Sequence, residues 1–361
     1  MVRRPRFGVE LTALGAATGL GLLPALALCA AGCGARGTGA VVRGDAACPP
    51  PTTCDAPPPD PGPVIAWRHP VRSALTAGLG APRHRGRDLV LREGEPQWAL
   101  AKFAYGLADD DLQGEDVAMF LLRGCGDTWE ELGTATATDD GEHATVERVD
   151  DTGGRVYFEL PEGKRLGVGR HRVRFVVRGD RTTAEQLIDV LPADARFVVT
   201  DVDGTLTAGE AAEFAALLGG RDPAANPAAA EVLRAYAGRG YHVMYLTARP
   251  EWLAARTHEW LRGHGFPPGT VRTTLTITGA VGEAAAAYKA AELAALLGRF
   301  PDSIEAAYGN TESDVAAYAS AGLPPDRVFS YRHDPEKRGT RVDDYGTLLP
   351  AVEALAACAR Q

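Results

Sequence analysis

The sequence predicts two folded units in series, an antiparallel β-sandwich over residues 63–192 and an α/β domain over 193–361 with a parallel sheet and helices on both faces. Three observations predict it. Segments 98–105, 117–122, 155–160 and 171–177 alternate apolar with polar residues. In the last, Val173, Phe175 and Val177 share one face while Arg172 and Arg174 share the other, which is the period of half-buried strands. Gly- and Asp-rich turns such as Asp150-Asp151-Thr152-Gly153-Gly154 separate these segments. From residue 193 onward, short apolar runs alternate instead with helical stretches, the rhythm of a parallel sheet.

The N-terminal third is read in order. Arg3, Arg4 and Arg6 precede a Leu-, Ala- and Gly-rich run over residues 11–28, and Ala30-Ala31-Gly32-Cys33 follows. This is the layout of a secretory signal. It resembles a bacterial lipoprotein signal, which implies lipidation at Cys33 and a cell-envelope address. Gly34 after the cysteine points to the outer membrane or periplasm rather than the inner membrane. Pro24 interrupts the apolar run, which counts against an uncleaved membrane anchor. Residues 34–62, with Pro49-Pro50-Pro51 and Pro57-Pro58-Pro59, read as a semi-extended linker. Cys48 and Cys54 are close enough in sequence to pair in an oxidising compartment, and Cys125 and Cys358 are read as isolated thiols. No Cys/His spacing matches a zinc site. Asp109-Asp110-Asp111 reads as a solvated turn in preference to a calcium loop.

In the second unit, strands are expected at 196–201, 241–246, 304–308 and 328–331, and helices at 250–263 and 282–297. Another helix is expected after Asn226-Pro227, read as a cap followed by Pro at the first helical position, with Gly238-Arg239-Gly240 as its stop. In parallel sheets the chemistry gathers at the carboxyl ends of the strands. A length of 361 residues with 45% apolar content suffices for two cores. The net charge of −9 argues against nucleic acid as the main partner and against electrostatic adhesion to an anionic membrane.

The residues with chemistry lie at strand ends. Val198-Val199-Thr200 leads into Asp201-Val202-Asp203-Gly204-Thr205-Leu206-Thr207. Side chains at i and i+2 reach one place only if the chain turns as the strand ends, and Gly204 permits that turn. One carboxylate then serves as nucleophile and the other as acid/base. Thr247, in Tyr245-Leu246-Thr247-Ala248-Arg249-Pro250, offers a hydroxyl to a phosphoryl oxygen at a helix start, or is an ordinary helix cap. Lys289 offers an ammonium to the nucleophile and the phosphate, or is a solvated helix lysine. Asn310 and Asp314, in Gly309-Asn310-Thr311-Glu312-Ser313-Asp314, offer oxygen ligands that with Asp201 suit Mg2+, or cap a helix.

Together these four motifs resemble those of the haloacid dehalogenase phosphohydrolase superfamily over residues 196–350. Within it they look like the lipin-type domain of phosphatidate phosphatases and phosphatidylinositol-transfer proteins. The first motif is similar to the lipin form. Tyr245–Pro250 and the run through Trp260-Leu261 to Gly265-Phe266-Pro267 are similar to the transfer-protein form. Ala307-Tyr308-Gly309-Asn310 with Asp314-Val315 and Tyr318 is similar to both. The resemblance implies a Rossmann-like, capless haloacid dehalogenase-like fold, since 208–244 and 251–288 hold no obvious extra domain. It implies a Mg2+-dependent phosphomonoesterase: Asp201 forms an aspartyl-phosphate, Asp203 is acid/base and lends a carbonyl to the metal, Thr247 and Lys289 hold the phosphoryl group, and Asn310 and Asp314 complete the metal site. The implied substrate is phosphatidate at a membrane surface, reached through the lipid anchor. Two other readings stay open, a phosphatase of soluble phosphomonoesters and a non-catalytic phosphatidic-acid-binding module.

Overall fold

A computed structural model describes residues 48, 51–209 and 222–357. Cys33 and the rest of the segment read above as a signal, most of residues 34–50, and Cys358 lie outside the described residues. No helix among the described residues is long and apolar enough to cross a membrane.

The first part contains a helix, α1 (Pro70–Ala77), and ten strands. They are β1 (Arg85–Gly86), β2 (Leu89–Arg92), β3 (Trp98–Lys102), β4 (Ala104–Tyr105), β5 (Asp110–Asp111), β6 (Asp116–Leu122), β7 (Trp129–Thr136), β8 (Arg155–Glu159), β9 (Gly169–Val177) and β10 (Thr183–Leu191). A five-stranded sheet, ordered β2-β10-β9-β6-β7, packs over the three-stranded sheet β1-β3-β8. All pairings are antiparallel except β2 with β10, which run parallel. The alternation in 171–177 does what its period demands: Val173, Phe175 and Val177 are core, while Arg172 and Arg174 face outward to Glu185.

Three expectations are corrected here. Cys54 is bonded to Cys125, with Cα atoms 4.6 Å apart, so Cys54 does not pair with Cys48 and Cys125 is not a free thiol. Proximity in sequence misled because β6 ends beside the strap of residues 51–62. That strap is also held where Arg172 Nη1 donates to the Cys54 carbonyl and Trp129 Nε1 to that of Pro57. Asp109 is not solvated, because the buried Arg85 guanidinium grips both of its carboxylate oxygens at 2.6 Å. Asp111 pairs with Lys102.

The second part is a six-stranded, wholly parallel sheet: β11 (Phe197–Thr200), β12 (His242–Pro250), β13 (Gly269–Thr274), β14 (Ile304–Gly309), β15 (Val328–Tyr331) and β16 (Thr340–Val342). Its order is β13-β12-β11-β14-β15-β16, a doubly wound arrangement in which the winding reverses at β11. Among the described residues its helices are α2 (Ala229–Ala237), α3 (Ala254–Gly263), α4 (Gly282–Arg299), α5 (Glu312–Ser320) and α6 (Leu349–Glu353). Two cores lie on opposite faces of the sheet. One gathers α2, α6 and the Trp260–Phe266 stack, and the other gathers α4 and α5 around Phe197, Leu246 and Phe300. Asn226 does not cap α2. Its amide donates to the Gly204, Thr205 and Thr207 carbonyls, so it braces the turn after β11, and Ala228 occupies the cap position in a left-handed conformation.

The two parts meet across buried polar contacts. Glu251 accepts from Arg85 at 2.9 Å and from Arg155 at 2.8 Å, both from the sandwich. Glu292 is paired with Arg87 from the sandwich and with Arg272 of β13. Asp88 meets His258 of α3 at 2.8 Å and accepts from the Val271 backbone. β13 is buried along its whole length although four of its six residues are Thr or Arg, because its polar groups are spent on this seam.

Candidate active site

The turn after β11 is built by local chemistry. Gly204 adopts φ +74°, a left-handed conformation open to glycine at little cost. Its N–H donates to the Thr207 hydroxyl at 2.9 Å. The Leu206 and Thr207 amides both return to the Val202 carbonyl. This curl leaves Asp201 inside, at the end of the central strand where the winding reverses. It turns Asp203 outward, with 29% of its side chain exposed.

The six residues singled out in this domain fall into two contact groups, Asp201, Lys289, Asp314 and Asn310 in one and Asp203 with Thr247 in the other. Lys289, buried in α4, donates to Asp201 Oδ1 at 2.6 Å and to Asp314 Oδ1 at 2.5 Å. Thr247, buried at the end of β12, donates to Asp203 Oδ2 at 3.1 Å. Asp314 also caps its own helix. Its Oδ2 accepts from the Asn310 and Thr311 amides and the Thr311 hydroxyl, so cap and site residue are one side chain. Thr311, not Asn310, is the N-cap of α5. Asn310 is linked to Asp201 through Thr205 as well, whose hydroxyl lies 3.1 Å from Asp201 Oδ2 and 2.8 Å from Asn310 Oδ1. Gly309 is required between them, because a Cβ there would run into the Asp314 side chain.

Two residues with structural claims on the site were missed in the sequence. Thr205 is one. Arg249 is the other: its Nε lies 3.2 and 3.0 Å from the two oxygens of Asp203, and its Nη2 donates to Oδ1 at 2.9 Å. Both stood inside motifs already noticed. Signals were available in the hydroxyl four residues after Asp201 and in an arginine two residues past the strand-end Thr247.

Electrostatics separates the carboxylates. Burial pushes Asp201 up to about 7, against the pull of Lys289, and the nearby Asp314 and Asp203 charges push the same way. Burial alone would lower Lys289, but Asp201 and Asp314 outweigh it and hold the ammonium protonated well above its ordinary value. Two buried carboxylates thus share one cation, and the pocket is short of positive charge. An anionic substrate would deepen that deficit. Among the described residues no group of three His, Cys, Asp or Glu side chains is gathered to hold a metal ion. The groups joined to Asp201 through Thr205 and Lys289, the Asn310 amide and the Asp314 carboxylate, nonetheless offer hard oxygens.

Residues 198–331 match the family described as PITM 1-3, LNS2 domain, and residues 82–190 match PITM 1-3, beta-sandwich domain. The chain is 31% identical over 276 residues to the membrane-associated phosphatidylinositol transfer protein 3 of Mus musculus, covering 75% of this chain and 26% of that protein. It is 33% identical over 251 residues to the membrane-associated phosphatidylinositol transfer protein 2 of Mus musculus, covering 69% of this chain and 17% of that one. Against protein retinal degeneration B of Drosophila melanogaster it is 31% identical over 252 residues, covering 69% and 18%. The aligned stretch is thus only 17–26% of the length of these relatives. The matches support the lipin-type LNS2 family for the α/β part. They overturn the expected bacterial cell-envelope address, since these relatives are animal proteins and two are named membrane-associated.

Proposed function

We propose that the chain is a phosphomonoesterase that works through an aspartyl-phosphate and acts on a phosphate carried by a lipid headgroup, with phosphatidate the leading substrate. The observation that carries this reading is the division of labour between two carboxylates: Asp201 buried on Lys289, Asp203 turned toward the opening and oriented by Arg249 and Thr247. An Asp201 oxygen attacks phosphorus. The bond to the alkoxy oxygen breaks, and that oxygen leaves with the electron pair and takes a proton from Asp203. Water then attacks phosphorus, giving its proton to Asp203, and the Asp201–phosphorus bond breaks to release inorganic phosphate. Thr247 and Lys289 position the phosphoryl group, and phosphoryl transfer asks mainly for positioning and charge neutralisation. The charge deficit around Asp201 and the oxygens of Asn310 and Asp314 fit Mg2+, with the Asp203 carbonyl as a further donor. When bound, the ion would supply the missing positive charge and favour ionised Asp201. On this reading 63–192 is the sandwich and 193–361 the catalytic unit.

A second reading is a non-catalytic module that captures a lipid phosphate. The three-contact grip of Arg249 on Asp203 favours it, because a carboxylate tied to a guanidinium is slow to pass a proton on. Phosphate release from dioctanoyl phosphatidate and from an aryl phosphate, with Mg2+ and with EDTA, decides between the readings. Turnover that disappears with EDTA and returns with Mg2+ is expected of the enzyme. Tight binding of phosphatidate without release would establish the module, and turnover of soluble substrates alone would remove the lipid.

A further inference from the structure

Most large apolar side chains of the described residues are buried, but several stand almost fully in solvent on one connected band. Val71 and Leu75, one turn apart on α1, are 76% and 69% exposed, and Leu79 lies just past the end of that helix. Gly106 packs against the Leu79 backbone, and the next residue, Leu107, is 87% exposed. From there the contacts cross from the sandwich to the α/β part. Arg83 Nη1 donates to the Leu107 carbonyl, and its guanidinium sits 4.2 Å from the Trp252 ring centre. Trp252 Nε1 donates to the carbonyl of Ile277, itself half exposed. The same loop ends at Val281, 85% exposed, after Ala280 N–H has bonded the carbonyl of Ala248, the neighbour of Thr247. The band therefore runs from α1 to the lip of the candidate active site.

We infer that this band is the face by which the protein lies on a phospholipid bilayer, with the Leu107 and Val281 tips in the acyl-chain boundary and the Asp203 opening turned to the headgroups. Four features select a bilayer over a protein partner. The Leu107 and Val281 tips, 87% and 85% exposed, stand proud instead of lining a groove. A half-exposed Trp stacked on an Arg marks the middle of the band, and indole and guanidinium are groups that settle at the polar–apolar boundary of a membrane. The net charge of −9 makes electrostatic adhesion to anionic lipid unfavourable and leaves apolar insertion as the means of attachment. Finally, the band abuts the site, and a phosphate on a lipid headgroup reaches a buried Asp201 only if the bilayer is held at that lip. The choice of a lipid-borne substrate rests on the function proposed above, whereas the docking surface does not.

Hydrogen exchange of the full chain, with and without vesicles of phosphatidylcholine alone, tests the surface without calling on any chemistry at Asp201. Amides in 105–108 and 276–281 should exchange at least about tenfold more slowly with vesicles present, because burying three aliphatic tips exceeds the ~1.4 kcal/mol that corresponds to tenfold. The slowing should persist in high salt, which screens charge but not apolar contact. In a chain carrying Leu75→Glu, Leu107→Glu and Val281→Glu it should vanish, although the N-terminal apolar run of the sequence is the same in both proteins. Leu107→Glu alone, at an open position, serves if the triple variant folds poorly, and should lose most of the slowing at 105–108. Unchanged exchange in the wild type, or equal slowing in the Glu variants, overturns the proposal. Slowing that depends on protein concentration without vesicles would make the band a contact between copies and also overturn it. Phosphatidylcholine protection without any phosphate release would leave the surface standing and remove the enzyme.

Discussion

Arg249 holds Asp203 through two of its nitrogens, Nε at 3.0 Å from Oδ2 and Nη2 at 2.9 Å from Oδ1, while Thr247 adds a hydroxyl at 3.1 Å. The outward carboxylate of the pair is thus fixed in direction before any substrate arrives.

That grip predicts a substrate-dependent defect. Arg249→Gln frees Asp203 to rotate, and turnover of alkyl phosphomonoesters should fall by about 10²-fold, within the range that positioned acid–base groups contribute. An activated aryl phosphate, whose leaving group needs little protonation, should lose much less. Equal losses on both, measured as kcat, would mean that Arg249 serves the fold and not the proton.

The roles of the two aspartates separate in the same way. Asp201→Asn should form no phosphoenzyme and reduce turnover to background. Asp203→Asn should slow turnover by about 10²–10⁴, recover partly with an aryl phosphate, and let an acid-stable phosphoenzyme accumulate on a quenched-flow gel. An active Asp201→Asn beside an Asp203→Asn that is dead on every substrate would reverse the assignment.

Asp201 also predicts a pH dependence of stability. Its folded value, about 7, lies above the unfolded carboxylate range near 4, so the folded chain binds more protons between these limits. Stability is therefore lost as pH rises from about 4 to 7 and stays reduced above it. Asp201→Asn removes this loss. Its melting temperature in EDTA should exceed the wild type's at pH 8, and the gap should close toward pH 4. A constant gap across that interval would show that Asp201 is not the group that titrates.

Lys289→Met leaves Asp201 and Asp314 buried as like charges with no ammonium between them. Activity should fall by about 10²–10³-fold, the usual cost of one electrostatic contact in a site. The variant should also melt lower, and most markedly at alkaline pH, as calorimetry would record.

At the seam, Glu251→Ala strands the buried Arg155 guanidinium and leaves Arg85 with Asp109 alone. A destabilisation of about 3–5 kcal/mol is expected from breaking such a pair on one side. Urea unfolding followed both by tryptophan emission and by far-ultraviolet dichroism checks it, and a change below 1 kcal/mol would mean that the seam is hydrated.

What the sequence revealed depended on distance along the chain. The β11 turn, Lys289 on a helix and Asn310 and Asp314 after β14 were legible because each is a local pattern with its own strand or helix around it. Partnerships over long separations were not. Cys54 and Cys125 are 71 residues apart, and Glu251 meets Arg85 across 166. β13 escaped notice because Thr and Arg replace the apolar run expected of a buried strand, and only its contacts with the sandwich explain that choice. Asn226 looked like a cap because Asn before Pro usually is one. Its amide is used instead on three carbonyls of a turn some twenty residues earlier.

Glu251 follows Arg249 by two residues, and Glu292 lies three residues, less than one helical turn, past Lys289. The sandwich arginines therefore clasp the very segments that aim the acid/base and hold the ammonium. Inheritance follows from this. A gene fission or a domain shuffle that gave the α/β half a new neighbour would leave Glu251 without either of its sandwich arginines, while Glu292 would lose Arg87 but keep Arg272, so the recombinant would need to replace Glu251. The two halves are bound to descend together, and a lineage that had lost the sandwich should show an apolar or amide residue at position 251.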